Sequence, residues 1–502
     1  MLVKRFAVNL KKTTLNLSMI NAASVSLGLL FHILLGRRFG ISWELDCLFV
    51  SLTIFSFLGI FNALIITLLT PVFNEIKNRD EKESFEFADV VFKWSLFIGL
   101  IMWFIILHSG DVIIKLFASG FDEKSIKLTT EILQILFIGF IFSNLAASVN
   151  VILNALYLFL VPALMGLLSP IINITAIFVL TPQYGVKGIA FSYMFFNTFQ
   201  AIVLILYIFV KTRWRPTTKI YHYKIMDLLK HSSTAVAGNF IWSLRDIISR
   251  NIASNLGSGA ITLISYAEKI ISVPTQIITS PFSSVFYSKA SQLIAIPRWE
   301  EVKDLLSRVT RISSSVSIFV SAGIILFIKP LLSVLFLGSR FTANDINILS
   351  YLMIIELIYL IVLSYELIFV RVAYGAKKPV IVLGNSVMGV ALFYVLSMNL
   401  PKLLGIYGLA LSISLAQVPI CILYFHFINK YVNAQVSDIF YPLLKNLLYA
   451  AVFVIAGLLV NDALKNDMLM MLLWAPAWAA LYLALSRYVL KDEWNILRNR
   501  EA

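Results

Sequence analysis

Charged residues inside apolar segments are the first feature of this sequence that indicates chemistry. Arg245, Asp246 and Arg250 lie within the apolar segment 226–256. A charge at the centre of a bilayer costs about 2.5 kcal/mol or more, so ionisable groups in a membrane-spanning segment are candidates for function. Asp246 and Arg250 are four residues apart and can pair on one helix face, whereas we expect Arg245 to lack a local partner.

The next apolar segment, 258–288, carries Glu268 and Lys269 within a polar stripe at helical spacing. The members of the stripe are Ser265, Glu268, Ser272, Gln276 and Thr279. A helix surrounded by lipid alone would not keep such a stripe, so it predicts a face turned toward a polar cavity. Helix packing through the hydroxyl groups, and snorkelling of Glu268 and Lys269 at the interface, are the alternative interpretations.

Polar residues also mark three other apolar segments. Asn21 lies on a small and polar face of the segment 14–36, and Asp46 opens the segment 45–72. Glu356 and Glu366 are ten residues apart, which places them on nearly the same face of one helix. These residue types can receive an anion, a cation or a sugar, provided that helices bring them together.

The elements that carry these residues are typical of a polytopic membrane protein. The chain is 59% hydrophobic and 14% charged, against about 45–50% and 25% in soluble domains. Apolar blocks of spanning length recur along it, and they predict an all-α fold with about fourteen transmembrane helices. The predicted segments are 14–36, 45–72, 88–108, 128–156, 158–180, 185–210, 226–256, 258–288, 308–328, 345–370, 379–399, 403–428, 442–461 and 467–489.

The distribution of charge predicts the orientation. When alternate loops are placed on opposite sides, most of the 41 Lys and Arg residues fall on the side of both termini. That side is then cytoplasmic, and the net charge of +14 needs no nucleic-acid partner. The first apolar segment lacks a cleavage site and is expected to be retained. Cys47 and Cys421 are single and lie in or beside apolar blocks, so neither a disulfide nor a metal site is predicted.

A weak internal repeat predicts two lobes. Aligning Gly40 with Gly257 puts the helix pairs 1–2 and 7–8 in register. The predicted domains are an N-terminal lobe at 1–211, a C-terminal lobe at 212–430 that begins with a basic linker, and a last helix pair with its tail at 431–502. Two related lobes around a central cavity are the usual architecture for alternating access.

Several enzyme classes are excluded by what the loops and motifs lack. No predicted loop is long enough for an extracytoplasmic catalytic domain, which disfavours a polysaccharide polymerase or ligase. The sequence has no phosphate-binding loop, no HExxH pair and no nucleophile elbow. We therefore predict a transporter with no catalytic residue, no metal and no cofactor.

Short motifs near helices 1–2 and 7–8 resemble the lipid II flippase (MurJ/MviN) family of the multidrug/oligosaccharidyl-lipid/polysaccharide exporter superfamily. The matching motifs are Leu27-Gly28, Phe39-Gly40, Asp46-Cys47-Leu48-Phe49, Pro71-Val72-Phe73-Asn74-Glu75, Asn255-Leu256-Gly257-Ser258-Gly259 and Ile264-Ser265-Tyr266-Ala267-Glu268-Lys269-Ile270. The resemblance implies that Glu268 and Lys269 lie in the central cavity. The family's arginines of helices 1 and 2 are replaced here by Val25, Phe31 and Gly59, and Arg245 and Arg250 are expected to compensate.

The resulting hypothesis is a flippase in the bacterial inner membrane that moves an undecaprenyl-pyrophosphate-linked sugar, either lipid II or a related lipid-linked oligosaccharide. A flippase for O-antigen, capsule or exopolysaccharide units is the alternative, and a cation-coupled multidrug antiporter fits less well. The membrane potential or an ion gradient is expected to supply the drive, with Asp46 or Glu268 binding the coupling ion. Membrane lipid and cell-envelope biosynthesis proteins are candidate partners. The predicted substrate-binding residues are Asn21, Asp46, Arg245, Arg250, Ser265, Glu268, Lys269 and Gln276.

Overall fold

The computed structural model describes residues 10–60, 69, 72–212, 214–336, 338–433, 435–463, 467 and 470–498. These residues are almost entirely helical, and no strand occurs among them. The helices are α1 (Leu10–Phe39), α2 (Trp43–Leu58), α3 (Glu81–Phe117), α4 (Glu123–Ala155), α5 (Leu160–Val179), α6 (Lys187–Lys211), α7 (Lys224–Ser254), α8 (Ala260–Pro274, continued by Ser280–Ala295), α9 (Trp299–Phe336), α10 (Ala343–Gly375), α11 (Pro379–Leu404), α12 (Ile406–Val432), α13 (Val436–Ala463), α14 (Ala475–Val489) and α15 (Lys491–Arg498).

Eleven helical segments in the described ranges are long and apolar enough to cross a membrane. They belong to α1, α3–α6 and α9–α14. The other predicted spans fall on α2, α7 and α8. The predicted range of α2 runs on into 61–68, which lies outside the described residues. Helix α7 carries Arg245, Asp246 and Arg250, and α8 is divided by a π-helical turn into α-helical halves of 15 and 16 residues. The multi-pass, all-helical prediction is therefore confirmed, while the number fourteen remains a prediction.

The chain divides into two compact units, Met1–Ile261 and Thr262–Ala502. In the first unit α4 packs against α3 and α6, α1 packs against α5, and α2 packs against α4. In the second unit α12 packs against α10 and α11, and α9 packs against α10 and α13. The lobe limits at 211 and 430 remain predictions.

A hydrophobic cluster in the first unit fixes the segment that follows α6. We call this segment, 214–223, the strap. Trp214 is buried and stacks on Phe209, with ring centroids 4.7 Å apart. The backbone amide and hydroxyl of Thr217 donate to Asp89 Oδ2 on α3 at 2.9 and 2.8 Å, and Lys93 Nζ lies 2.7 Å from the same oxygen. The strap is thus bound to the end of α3 by packing and by ionic contacts.

A second cluster in the other unit joins the last helices to α9. Trp478 and Tyr482 of α14 pack with Ile318 and Leu326 of α9 and with Ala450 of α13. The hydroxyl of Tyr449 on α13 donates to the carbonyl oxygen of residue 482 at 2.8 Å. The C-terminal helix pair is therefore a packed part of its unit.

Helix α8 is interrupted by one wide π-helical turn, Thr275–Thr279. Pro274 precedes the turn and Pro281 follows it, in the first turn of the second α-helical half. Pro281 has no amide hydrogen to donate to the carbonyl of Ile277, and its ring would crowd that carbonyl in a regular α-helix. A wider turn removes this crowding, which explains why the π-turn lies at this point.

Candidate functional site

The charged residues of α7 have partners in the first unit. Arg250 is buried, and its Nε donates to the Thr53 hydroxyl of α2 at 3.3 Å. Arg245 Nε lies 3.7 Å from Asp246 Oδ1, and its guanidinium group lies 5.0 Å from the Trp242 ring centroid. The expectation that Arg245 has no local partner is therefore wrong. A neighbour in sequence and an aromatic face both stabilise its charge.

Asp46 is buried and contacts the segment that precedes α8. Its Oδ2 accepts a hydrogen bond from the backbone amide of Gly259 at 2.6 Å. Thr53 lies seven residues further along α2, so Asp46 and Thr53 share one face of this helix. That face therefore contacts both Arg250 and the start of α8. A carboxylate beside a helix N-terminus is electrostatically favourable, which gives Asp46 a structural role in addition to any role in binding.

The end of α7 is bound to the loop between α3 and α4. Asn251 Oδ1 accepts from the Ser119 hydroxyl at 3.2 Å, and Asn255 Nδ2 donates to the same hydroxyl at 2.9 Å. The Gly120 amide donates to Ser254 Oγ at 3.0 Å. A Cβ atom at Gly120 would lie 2.3 Å from the Ser254 carbonyl oxygen, so this approach requires glycine. We call these interactions the outer contact, because both loops are predicted to be extracytoplasmic.

The polar stripe of α8 in the second unit is unevenly accessible. Ser265 and Thr279 are buried, Glu268 is half-buried, and Lys269 and Gln276 are exposed. Gln276 Nε2 lies 3.4 Å from the Ser272 hydroxyl. The π-turn falls between Ser272 and Thr279, so the spacing of an ideal α-helix does not hold along the whole stripe. Asn21, in the first unit, is exposed on α1.

A further polar group of the second unit was only partly indicated by the sequence. Glu366 of α10 is buried and accepts a hydrogen bond from Gln417 Nε2 of α12. Arg371, also on α10, donates through Nε to the Ser283 hydroxyl of α8 at 3.2 Å. Ten residues at about 100° each put Glu356 and Glu366 about 80° apart around α10 rather than on one face. Gln417 follows Glu366 by 51 residues, and no local pattern connects the two.

The arrangement is suited to binding rather than to bond-making. The charged groups of the predicted site residues are guanidinium, ammonium and carboxylate side chains on helices. Hydroxyl and amide side chains accompany them. Within the described ranges, no three His, Cys, Asp or Glu side chains lie close enough together to hold a metal ion. The cationic groups can receive an anion, and arginine can do so with two parallel hydrogen bonds.

Comparison with known families shows which of them matches this chain over most of its length. A family model described as lipid II flippase MurJ matches residues 23–477. The chain belongs to this family. The MurJ family consists of lipid II transporters, so the protein is a multi-pass flippase of the bacterial inner membrane rather than an enzyme.

Individual relatives agree with the family match. The chain is 24% identical over 497 residues to a protein of Buchnera aphidicola from Schizaphis graminum named as a probable lipid II flippase MurJ, covering 94% of this chain and 91% of the relative. It is 23% identical to the lipid II flippase MurJ of Burkholderia cenocepacia over 68% of this chain and 69% of the relative.

Solved structures show the same fold. A lipid II flippase MurJ in an inward closed conformation aligns with a TM-score of 0.80 at 20% identity, covering 95% of this chain and 99% of that structure. An inward-facing multidrug resistance MATE transporter aligns with a TM-score of 0.70 at 17% identity, covering 83% of this chain and 94% of that one.

The positions at which the resemblance expected arginines hold no charge. Val25 is half-buried on α1, Phe31 is buried on the same helix, and Gly59 caps the end of α2. Arg250 reaches the face of α2 from α7 instead, through its bond to Thr53. A guanidinium group thus lies beside α2 although α2 does not supply it.

Proposed function

We propose that this protein carries lipid II from the cytoplasmic to the outer leaflet by alternating access, with fourteen spans arranged as two six-helix lobes and a C-terminal pair. The family match over residues 23–477 carries this proposal. Both termini lie in the cytoplasm, as the distribution of Lys and Arg predicts. The lipid tail stays in the membrane while the headgroup crosses.

The diphosphate sets the main energetic problem. Moving an ion from water into a low-dielectric medium costs of the order of 20 kcal/mol in an idealised estimate, so the headgroup needs compensating charge along its path. Arg245, Arg250 and Lys269 supply that charge. Arg250 is already oriented by the Thr53 hydroxyl, so little side-chain entropy is lost when it binds a phosphate. Asn21, Ser265 and Gln276 offer hydrogen bonds to the sugars.

The membrane potential or an ion gradient drives transport. Moving one charge through the membrane field is worth about 2.3 kcal/mol per 100 mV. Glu268 is the coupling residue that we favour, because it is half-buried beside Lys269 on α8. Asp46 is the second candidate, although its bond to the Gly259 amide already gives it a structural role.

A flippase for O-antigen, capsule or exopolysaccharide units is the second candidate function. It is favoured by one observation, the absence of charge at Val25, Phe31 and Gly59. Such substrates share the lipid diphosphate and differ in the sugars. The diphosphate chemistry at Arg245 and Arg250 would then be unchanged.

Complementation tests the proposal. We expect this chain to restore growth and surface-exposed lipid II in bacteria depleted of their own lipid II flippase. Arg250→Gln should lose rescue. Arg298→Gln, which alters an exposed arginine paired with Glu301 outside the spans, should keep it.

Two results would redirect the assignment. Failure of rescue with the protein present in the membrane, together with rescue of a strain that lacks a polysaccharide-unit flippase, would favour the second candidate. Rescue by Arg250→Gln would remove this arginine from the diphosphate path.

A further inference from the structure

A groove of about 470 Å³ lies between α12 and the start of α13 in the second unit. Its lining residues are Ile422, Phe425, His426 and Asn429 from α12 and Phe440 from α13. The four α12 residues recur at the spacing of one helix face, so the groove runs along the helix axis. None of them belongs to the proposed transport path.

Aromatic contacts hold the walls of the groove in place. Phe440 stacks on Tyr365 with ring centroids 6.0 Å apart, and it meets Phe425 edge-on at 5.2 Å. Phe425 is buried, whereas Ile422 keeps 54% of its surface exposed. Helix α13 also packs against α9. This packing holds α13 in place, so the groove stays open.

The two ends of the groove differ in polarity. Beyond Phe440, α13 carries the apolar side chains of Leu444 and Leu448, which keep 56% and 61% of their surface exposed. The other end carries His426 and Asn429, and the exposed Lys430 follows them beside the Phe427 ring. This end is the one that the charge distribution predicts to be cytoplasmic.

The acidic residue nearest to the groove in sequence is turned away from it. Asp438 precedes Phe440 by two residues, so the two side chains lie on opposite sides of α13. The carbonyl oxygen of Asp438 lies 3.5 Å from Arg311 Nη2 on α9, which fixes the orientation of the turn. The polar end therefore presents positive charge and hydrogen-bond donors.

We propose that this groove binds one anionic phospholipid of the cytoplasmic leaflet. An acyl chain lies along Ile422, Phe425 and Phe440, and the phosphate meets Lys430 and His426. The apolar slot, the exposed apolar side chains further along α13 and the basic end together fit this occupant. The proposal does not depend on the identity of the transported glycan.

Native mass spectrometry of the full-length protein tests the site. The protein is purified in detergent with equal amounts of phosphatidylglycerol and phosphatidylethanolamine. We expect phosphatidylglycerol to be retained selectively. Ile422→Trp should fill the slot and lose the bound lipid. Val395→Trp, at an equally exposed apolar position on α11, should keep it.

A charge variant separates the headgroup from the chain. Lys430→Gln should remove the preference for phosphatidylglycerol while some lipid remains bound, and this variant does not alter the groove walls. Equal retention by wild type and Ile422→Trp would overturn the proposal. It would also be overturned if the retained molecule proved to be an isoprenoid-linked glycan, because the groove would then belong to the transported substrate.

Discussion

Asp46 shows how one side chain can have two roles that a pair of substitutions distinguishes. Its carboxylate is buried and accepts from the Gly259 amide, immediately before α8. We expect Asp46→Ala to lower the melting temperature, because losing such a helix-terminal acceptor costs about 1 kcal/mol. Asp46→Asn keeps an acceptor oxygen, so it should preserve both melting temperature and transport.

The measurements are thermal unfolding in detergent and lipid II exposure in cells. A stable Asp46→Asn protein that fails to transport would show that the negative charge itself is needed. Asp46 would then be the coupling residue rather than a structural contact.

For Glu268 we expect the opposite result, a loss of transport without a loss of stability. It is half-buried on α8, beside the exposed Lys269. Glu268→Gln conserves its shape and removes its charge, so transport driven by an imposed potential should be lost while the unfolding temperature stays close to that of wild type. Glu301→Gln, at an exposed site, is the matched control. Undiminished transport in Glu268→Gln vesicles would reject the coupling role.

For individual residues, the sequence predicted which side chains are candidates for function better than it predicted which groups they contact. The cost of intramembrane charge was sufficient to single out Arg245, Arg250 and Glu268. The partner of Arg250 is Thr53, 197 residues away, and the partner of Asp46 lies 213 residues away. A threonine in an apolar helix commonly bonds its own backbone. Thr53 does so with the Phe49 carbonyl at 2.8 Å, and nothing in its sequence context indicates a second contact.

At the scale of elements, we expect the stability of the strap to depend on pH. Burial lowers the pKa of His222, although Glu83 and Glu86 act to raise it and Lys219 acts to lower it further. A histidine with a lowered pKa favours the folded strap in its neutral form. Stability is therefore greatest above the unfolded pKa of about 6.5 and falls as the pH drops through the folded value.

We expect amide hydrogen exchange in 214–223 to accelerate as the pH is lowered below 6.5, after correction for intrinsic rates. The acceleration should be confined to the strap and should disappear in His222→Phe, whose ring can keep the contact with Phe87. An unchanged pH dependence in this variant would assign the effect to the acidic groups of α3.

The predicted helices agree well with the observed ones, and the exceptions have local causes. The break between 128–156 and 158–180 is confirmed, since α4 ends at Ala155 and α5 begins at Leu160. Tyr157 between them adopts the left-handed region at φ 62°, which is uncommon for a residue with a side chain. The π-turn of α8 was not predicted. The sequence shows where the prolines are, but it does not show how the backbone adapts to them.

At the scale of the molecule, the proposed alternating-access cycle requires the outer contact to break. Asn251 lies in α7 and Asn255 directly follows it. Helix α7 is the first helix of the predicted second lobe, whereas Ser119 belongs to the predicted first lobe. In a background without Cys47 and Cys421, we expect a cross-link between Ser119→Cys and Asn251→Cys to stop transport and its reduction to restore it.

The control cross-link joins Asp111→Cys to Thr130→Cys on the neighbouring helices α3 and α4, where the native side chains bond at 2.6 Å. This cross-link should be harmless, because both helices belong to one predicted lobe. Full transport with the Ser119–Asn251 cross-link intact would mean that α7 and the α3–α4 loop move together.

The π-turn of α8 also has a genetic consequence. An i to i+5 bond encloses one more residue than an α-helical turn, so everything after Thr279 is rotated by roughly 100° relative to an uninterrupted helix. This rotation is what directs Ser283 toward α10, where its hydroxyl donates to the Leu367 carbonyl at 2.9 Å. Deleting a single codon between Thr275 and Thr279 would turn that face away from α10. Most point substitutions in the same five positions would leave the register intact.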